Sequence, residues 1–425
     1  MTILLGIGLH ALGGIAAATC YISQKGTTKW SWQTYWIVFC LVAWFVMPLG
    51  VSALTVPDLA SVLREAPLGV AVKVFFYGAL YGFGGMAFAL AIRCIGFSMT
   101  YGMAIGISAV FGTVVPQILD GTLIPNFQKP GGIVVLVAFI LSMVGVAVCG
   151  RAGFLKEREL AAKAEVNSSF DKRKGLWLVV LAGVLSGIFG VGAAAGTPID
   201  DIASQHGAVA GFAGYPKYIF LTGGTLLTNL VWWGIVCVRR GTLREFIEVP
   251  GGADPQALEE RGADGEVRTL FSAGRLAFYY LMAVIGGMLW FIQFIFYELG
   301  HADMGNFKFI SWGIHMAMLV FFSFGVGLVF REWQGCKRGT ISVLLSGLAL
   351  LVFSFGLITY GSLVGEREAA KSGQAPASKS PNKSPKSPPT STPNSPNSNS
   401  YISSPPRPHF LRCAMAPLQE KAGAQ

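Results

Sequence analysis

The chain has 425 residues, of which 53% are hydrophobic and only 13% are charged. A soluble domain of ordinary composition carries about 25% charged residues, so most of this chain has no side suited to water. The net charge of +10 does not indicate nucleic acid, because the Lys and Arg lie in short loops and a tail. The sequence contains no Walker loop, HExxH motif or CxxC pair, so we expect no enzyme, no metal site and no cofactor.

Apolar runs long enough to cross a bilayer occur ten times. A span needs about 20 largely apolar residues, and runs of this length must be helical because lipid satisfies no backbone polar group. The sequence therefore predicts an all-α integral membrane protein with ten transmembrane helices. The predicted spans are 2–22, 33–54, 70–92, 98–119, 131–151, 175–196, 215–238, 273–299, 309–331 and 339–361.

The distribution of positive charge predicts the orientation. One set of loops holds 19 Lys and Arg, and the opposite set, which includes Lys217, holds 5. Cytoplasmic loops are enriched in these residues. The first set is therefore expected in the cytoplasm, with both termini outside.

A charged connector divides the spans into two groups of five. We predict a first five-helix repeat at 1–151, a cytoplasmic connector at 152–174 and a second repeat at 175–361, which includes a cytoplasmic loop at 241–271. The remaining 362–425 form a Ser/Pro/Asn-rich tail whose composition is typical of disorder.

The two groups have similar features and are predicted to be inverted repeats. Small residues recur at helical spacing in the first span, as at Gly6 and Gly13, and in the sixth, as at Gly183 and Gly190. Five spans per repeat place the two repeats in opposite directions. Inverted repeats are typical of transporters, with the substrate bound near the midplane between them.

Several motifs together resemble one family. The motifs are Lys29-Trp30-Ser31-Trp32, Arg151-Ala152-Gly153 with Leu155-Lys156-Glu157-Arg158, Ile310-Ser311-Trp312 with His315-Met316, and Glu332-Trp333. With these motifs the chain resembles the L-rhamnose–proton symporter family of the drug/metabolite transporter superfamily over roughly residues 5–360.

This resemblance implies a bacterial inner-membrane carrier that imports a sugar with protons. Four features depart from the family pattern: the Gly84-Gly85 stretch of the third span, the Gly192–Gly196 stretch of the sixth, an acid at Glu298, and the tail, which has no counterpart. They bear on which sugar is carried more than on the fold. The resemblance assigns no proton carrier.

Two histidines inside apolar runs are candidates for proton coupling or substrate binding. Histidine suits proton coupling because its ordinary pKa lies near 6.5. His10 shares a helix face with small residues. These residues either leave room for a sugar beside the imidazole or form a helix-packing face, in which case His10 donates a hydrogen bond to a neighbouring helix. His315 lies beside Ser311 and Trp312, where an indole face can cover the apolar side of a sugar; the alternative is a histidine that links helices.

Three amides are further candidates. Gln293 in the eighth span and Asn229 in the seventh each offer a donor and an acceptor to a sugar hydroxyl, or tie helices together. Gln117 shares a face of the fourth span with small and polar residues, among them Gly106 and Thr113. This face either lines a cavity or packs tightly against a neighbouring helix.

Charged groups near the outer ends of spans are weaker candidates. Glu298, His301 and Asp303 form either a proton-uptake cluster or an exposed helix end and loop. Asp200 and Asp201, after the sixth span, are weaker still. Four tryptophans near span starts fit an interfacial aromatic belt: Trp30, Trp32, Trp36 and Trp177.

The sequence thus predicts a secondary transporter that imports L-rhamnose, or a closely related deoxyhexose, by alternating access with rocking of the two halves. Its partners are the sugar, protons and the lipid bilayer, without nucleic acid. A drug/metabolite-type carrier of another sugar or small metabolite is one alternative. A non-transporting membrane sugar sensor is the other.

Overall fold

Ten helices long and apolar enough to cross a membrane occur in the computed structural model, which describes residues 2–95, 97–163, 172–249 and 267–371. No strand occurs in these ranges, so the predicted all-helical membrane fold is confirmed. The helices, called first to tenth below, are Thr2–Thr19, Trp32–Thr55, Leu68–Ile95, Phe97–Leu119, Gly132–Lys163, Lys172–Ala195, Pro216–Arg240, Val267–Asp303, Ser311–Val329 and Arg338–Lys371.

Helical structure extends beyond several predicted boundaries. The fifth helix continues to Lys163 inside the predicted connector, and the tenth continues to Lys371 inside the predicted tail. Short helices at Leu59–Glu65, Leu123–Gln128 and Thr197–Gln205 occupy the connections. The tail beyond 371 and the loop at 250–266 lie outside the described residues.

The second helix is interrupted at the level of Trp44. A π-helical turn, Val42–Val46, precedes Pro48. Proline has no N–H to donate to the carbonyl four residues earlier, and that carbonyl belongs to Trp44. Thr222 Oγ1 of the seventh helix donates to it instead, at 2.9 Å. This bond fixes the backbone of Trp44 from a neighbouring helix.

Helix packing joins the two predicted repeats instead of separating them. The first helix packs against the eighth and ninth, and the sixth packs against the third and fourth. The second packs on the seventh, the fourth on the ninth and the fifth on the tenth. If each helix of the first repeat is exchanged with the helix at the same position in the second repeat, the set of packed pairs stays the same. The sequence halves are therefore not separate packing units, in contrast to the expected rocking of two halves, and the inverted relation between them stays a prediction.

The ninth helix lies at the centre of the bundle. Every residue from Ser311 to Val320 is buried. An apolar helix buried on all sides is surrounded by protein. Trp312 and His315 therefore face other helices and not lipid.

The third and seventh helices cross with their backbones in direct contact. A Cβ placed on Gly78 would collide with the Leu221 carbonyl, and one on Gly224 would collide with the Phe75 carbonyl. Thr225 Oγ1 donates to the Gly78 carbonyl at 2.9 Å across the same crossing. Only glycine fits at these two positions, because the obstacle is backbone and cannot rotate away.

Replacement of Gly224 by alanine is expected to lower the melting temperature of the detergent-solubilised protein. Overpacking costs typically about 1–3 kcal/mol, and the colliding carbonyl belongs to a helix backbone. Gly223→Ala is the matched control, since its Cβ would lie 3.6 Å from the nearest atom of Phe75; an unstrained alanine is favoured over glycine inside a helix by about 0.5–1 kcal/mol. Equal melting temperatures for the two variants would contradict this account of the crossing.

Candidate functional site

A cavity of about 300 Å³ lies between the helices. Its walls come from the first four helices and from the sixth to the ninth. It extends toward the end of the bundle that carries Gln24, Trp32 and Ile92, which is the end with the basic loops. Its volume falls at the lower limit of the roughly 300–1,000 Å³ typical of small-molecule sites.

Aromatic rings form most of the wall. Trp44 stands nearly perpendicular to Trp36, with ring centroids 6.0 Å apart, and to Trp290, 5.5 Å apart. Phe189 packs edge-on against Trp290 at 6.2 Å, and Trp312 lies 6.3 Å from Phe189. Rings held in this way are rigid, because each is fixed by its neighbours. They present flat apolar faces to the cavity.

A few polar groups interrupt the aromatic wall. Asn229 accepts a bond from Trp36 Nε1 at 3.1 Å and donates to the Thr225 carbonyl at 3.0 Å, so it holds Trp36 in place. Trp44 Nε1 is buried and has no hydrogen-bond partner among the described residues. Buried donors are nearly always paired, so this indole N–H is available to a ligand in the cavity.

Gln293 connects the cavity to buried histidines behind its wall. Its Nε2 donates to the Trp290 carbonyl at 2.8 Å, and its Oε1 lies 3.4 Å from His315 Nε2. The His315 ring lies 5.9 Å from His10 and 5.3 Å from Tyr297. Both imidazoles are fully buried, and neither lines the cavity.

The small-residue stripe of the first helix is a packing face. A Cβ on Gly13 would meet the His315 ring at 2.8 Å, and one on Gly6 would meet the Gly300 carbonyl at 2.9 Å. The room that we expected beside His10 for a sugar is therefore filled by the eighth and ninth helices. The expected bond from His10 to a neighbouring helix is also missing, since neither ring nitrogen has a partner among the described residues.

The remaining sequence candidates separate into two groups. Trp312 lines the cavity and donates from Nε1 to the Ser108 carbonyl at 3.1 Å. Ser311 is buried beside it but does not line the cavity. Gln117 bonds the Thr113 carbonyl and Asn126, at 2.8 and 3.1 Å, away from the cavity. Gln293, Asn229 and Trp312 are thus brought together, whereas His10, His315, Ser311 and Gln117 lie outside the lining.

Glu298 belongs to a buried ion cluster, so its interpretation as an exposed helix end was wrong. Lys217 Nζ lies 3.1 Å from Glu298 Oε1 and 2.8 Å from Asp200 Oδ2. The His301 ring stacks on Tyr297 at 5.8 Å, and Asp303 contacts the first helix beside Gly6. Within the described ranges no group of side chains has the composition of a metal site.

Three of the four tryptophans assigned to an interfacial belt lie elsewhere. Trp32 and Trp36 line the cavity, and Trp30 is buried with its Nε1 donating to the Glu245 carbonyl at 2.8 Å. Trp177, at 70% exposed, fits the belt. A position near the start of a span does not distinguish a lipid-facing indole from one that faces the bundle.

Carboxylates at the basic-loop end tie connections to helix starts. Glu245 accepts bonds from Ser31 N, Ser31 Oγ and Thr34 Oγ1 at 2.6–2.8 Å. Glu332 lies 3.1 Å from Lys25 Nζ and 3.8 Å from Lys156 Nζ. The motifs that carry the family resemblance therefore include residues that fasten this end of the bundle.

The comparisons with known proteins agree with that resemblance. The family model of the L-rhamnose-proton symport protein matches residues 1–248 and 265–363. The chain belongs to this family. It is 31% identical over 362 residues to an L-rhamnose-proton symporter of Klebsiella pneumoniae, which covers 84% of this chain and 98% of the relative. An L-rhamnose-proton symporter of Mannheimia succiniciproducens is 32% identical over 361 residues, with 85% and 98% covered, and one of Escherichia coli is 30% identical over 362 residues, with 84% and 98% covered.

Several residues of the cavity, and the pairing of Lys217 with Asp200 and Glu298, are not predicted from the sequence. Trp44 was one apolar residue among many, although Pro48 four positions later was a signal that its carbonyl needed another partner. Lys217 was counted as a loop charge, and it is 5% exposed. No local pattern pairs it with Asp200 and Glu298, because the three lie in different helices.

Proposed function

We propose that this chain imports L-rhamnose, or a closely related deoxyhexose, together with protons by alternating access. The observation that carries the proposal is the tryptophan-walled cavity at the centre of a chain that belongs to the L-rhamnose-proton symport protein family. Three relatives that match over nearly their whole length are named for that activity.

The chemistry of the cavity suits a deoxyhexose. Such a sugar has apolar C–H faces and a methyl group, which pack on the rings of Trp36, Trp44 and Trp312. Its hydroxyls need donors and acceptors at a few fixed points. Trp44 Nε1 offers a donor, and the Gln293 amide lies at the wall with only a long bond on its oxygen.

The wall formed by the third helix supports a second candidate within the same class. Gly82, Gly84 and Gly85 line the cavity there and offer no side-chain polar group. A sugar or small metabolite with fewer hydroxyls on that side is the alternative substrate. Competition by a panel of deoxyhexoses and hexoses distinguishes the two.

The proposed location is a bacterial inner membrane, with the basic loops in the cytoplasm and both termini outside. In this orientation the cavity extends toward the cytoplasm, and the ion cluster of Asp200, Lys217 and Glu298 lies at the outer end. The structure then corresponds to an inward-facing conformation.

Uptake of labelled L-rhamnose into cells that lack their own carrier tests the function. Expression of the chain is expected to give accumulation against the sugar gradient and alkalinisation of the medium on addition of sugar. Absence of uptake of any deoxyhexose would refute the substrate assignment. Uptake that is unaffected when the proton gradient is collapsed would refute coupling.

Loss of the indole N–H of Trp44 is expected to weaken sugar binding. Trp44→Phe keeps a ring in the wall but removes the donor, and one hydrogen bond contributes about 0.5–1.5 kcal/mol. The dissociation constant, measured by fluorescence titration with L-rhamnose, should therefore rise by about 2- to 13-fold. Trp177→Phe is the control at an exposed position, and an equal dissociation constant for the two variants would remove Trp44 from the binding site.

The buried histidines are proposed to link the cavity to the proton pathway. His10→Ala and His315→Ala are each expected to cut uptake at least about tenfold with normal membrane insertion, because His315 positions Gln293 and His10 is the buried titratable group beside it. His206→Ala is the control, since that ring pairs with Glu65 at 3.0 Å in a connection. Near-normal uptake in either variant would remove that histidine from the pathway.

A further inference from the structure

A three-residue ion cluster closes the end of the bundle opposite the basic loops toward which the cavity extends. Asp200 comes from the short helix Thr197–Gln205, Lys217 from the start of the seventh helix and Glu298 from the last turns of the eighth. The lysine lies between the two carboxylates, 2.8 Å from Asp200 Oδ2 and 3.1 Å from Glu298 Oε1. The side chains of Lys217, Glu298 and Asp200 are 6%, 7% and 20% exposed.

The charges in this cluster do not balance. Two carboxylates face one ammonium group, so the cluster carries one negative charge when no proton is bound. An uncompensated charge is unfavourable in a buried site, and such a group is neutralised by protonation instead. One added proton makes the cluster neutral.

The surrounding groups do not supply the missing positive charge. Tyr215 and Tyr218 of the seventh helix and Tyr297 of the eighth are neutral hydroxyls beside Glu298. Asp201 adds negative charge beside Asp200. The His301 ring stacks on Tyr297 and, among the described residues, forms no ion pair with Asp200 or Glu298. Lys308, which lies near His301, is exposed to solvent.

The short helix Leu59–Glu65, which packs against the helix of Asp200, supplies no balancing charge either. Its Arg64 is exposed. Its Glu65 pairs with His206 at 3.0 Å.

The two carboxylates differ in how well their charge is satisfied. Glu298 Oε1 accepts bonds from both Lys217 Nζ and the Tyr218 hydroxyl, the latter at 2.7 Å. Asp200 has Lys217 alone on Oδ2, while its buried Oδ1 has no partner among the described residues. A proton on Oδ1 removes the charge of Asp200 and leaves the lysine to neutralise Glu298.

We propose that Asp200, in the cluster with Lys217 and Glu298, binds the proton that drives sugar uptake. This inference rests on the proposed symport function. A protonated cluster is neutral and can be buried, so proton binding from the outside favours closure of this end of the bundle. Loss of the proton toward the cytoplasm restores the buried negative charge, which favours reopening and rehydration of the same end.

Titratable side chains lie between this cluster and the cavity. Tyr297 immediately precedes Glu298 on the eighth helix, and its ring lies 5.6 Å from His10 and 5.3 Å from His315. His315 reaches Gln293 at the cavity wall at 3.4 Å. Buried titratable side chains therefore occupy the space between Asp200 and the cavity.

Asp200→Asn, reconstituted as the full chain in proteoliposomes, is the decisive variant. It leaves Lys217 paired with Glu298, which mimics the neutral cluster. Exchange of labelled for unlabelled L-rhamnose is expected to continue and to lose its dependence on pH. Accumulation driven by an imposed proton gradient is expected to fall to an inside-to-outside ratio of unity, with no sugar-dependent alkalinisation. Asp201→Asn, one residue along on an exposed position, is the control and should accumulate sugar as the wild type does.

Two outcomes overturn the proposal. One is accumulation and alkalinisation by Asp200→Asn at wild-type level. The other is loss of exchange as well as accumulation in a variant that inserts normally and still binds L-rhamnose by tryptophan fluorescence, since the cluster would then serve sugar movement and not coupling.

A second variant covers a failure of Asp200→Asn to insert. Glu298→Gln also balances the cluster without a proton and is expected to exchange sugar without accumulating it; accumulation at wild-type level in this variant would overturn the proposal. A wild-type protein that neither exchanges nor accumulates any deoxyhexose refutes the symport function itself, which is a separate result.

Discussion

Direct contact between helix backbones at glycines is the constraint on which the rest of the structure depends. At Gly78 and Gly224, and again at Gly6 and Gly300, one helix presses against a carbonyl of another, with no space for a side chain. Each of these crossings joins a helix of the first repeat to a helix of the second. The helix axes are close together at these glycine crossings and farther apart around the cavity. The large rings of Trp36, Trp44 and Trp290 occupy the wider space there.

The two ends of the bundle compensate their carboxylates differently. At the basic-loop end, Glu245 receives three bonds from the start of the second helix, and Glu332 lies near both Lys25 and Lys156. The charge of Glu245 is stabilised by neutral hydrogen-bond donors and that of Glu332 by two ammonium groups, so neither arrangement calls for a bound proton. At the opposite end the described carboxylates of the cluster outnumber their single lysine. With the proton site proposed at Asp200, the closures of the two ends respond differently to the same change in pH.

Sequence reasoning recovered the fold more completely than the site, for a physical reason. The requirement that lipid-buried backbone be hydrogen-bonded acts locally, so length and polarity sufficed to find ten helices. The amides Gln293 and Asn229 and the indole of Trp312 were found because polar groups are rare in apolar runs. In a helix that is apolar on all sides, the sequence does not indicate which side faces the cavity, so Trp44 is not predicted as a cavity residue. The pairing of Lys217 with Asp200 and Glu298 arises only when three separate helices meet.

The packing of the first helix against the eighth and ninth also has a kinetic consequence. Gly13 lies against Gln293, and the roughly 280 residues between them take about 15 to 60 s to synthesise at typical rates of 5–20 residues per second. During that interval the first helix has none of the neighbours that cover His10 in the finished protein. The sixth helix is in the opposite situation, since the third and fourth helices against which it packs are already made when it emerges. The same pairing therefore gives the first helix a long wait in the membrane and the sixth almost none.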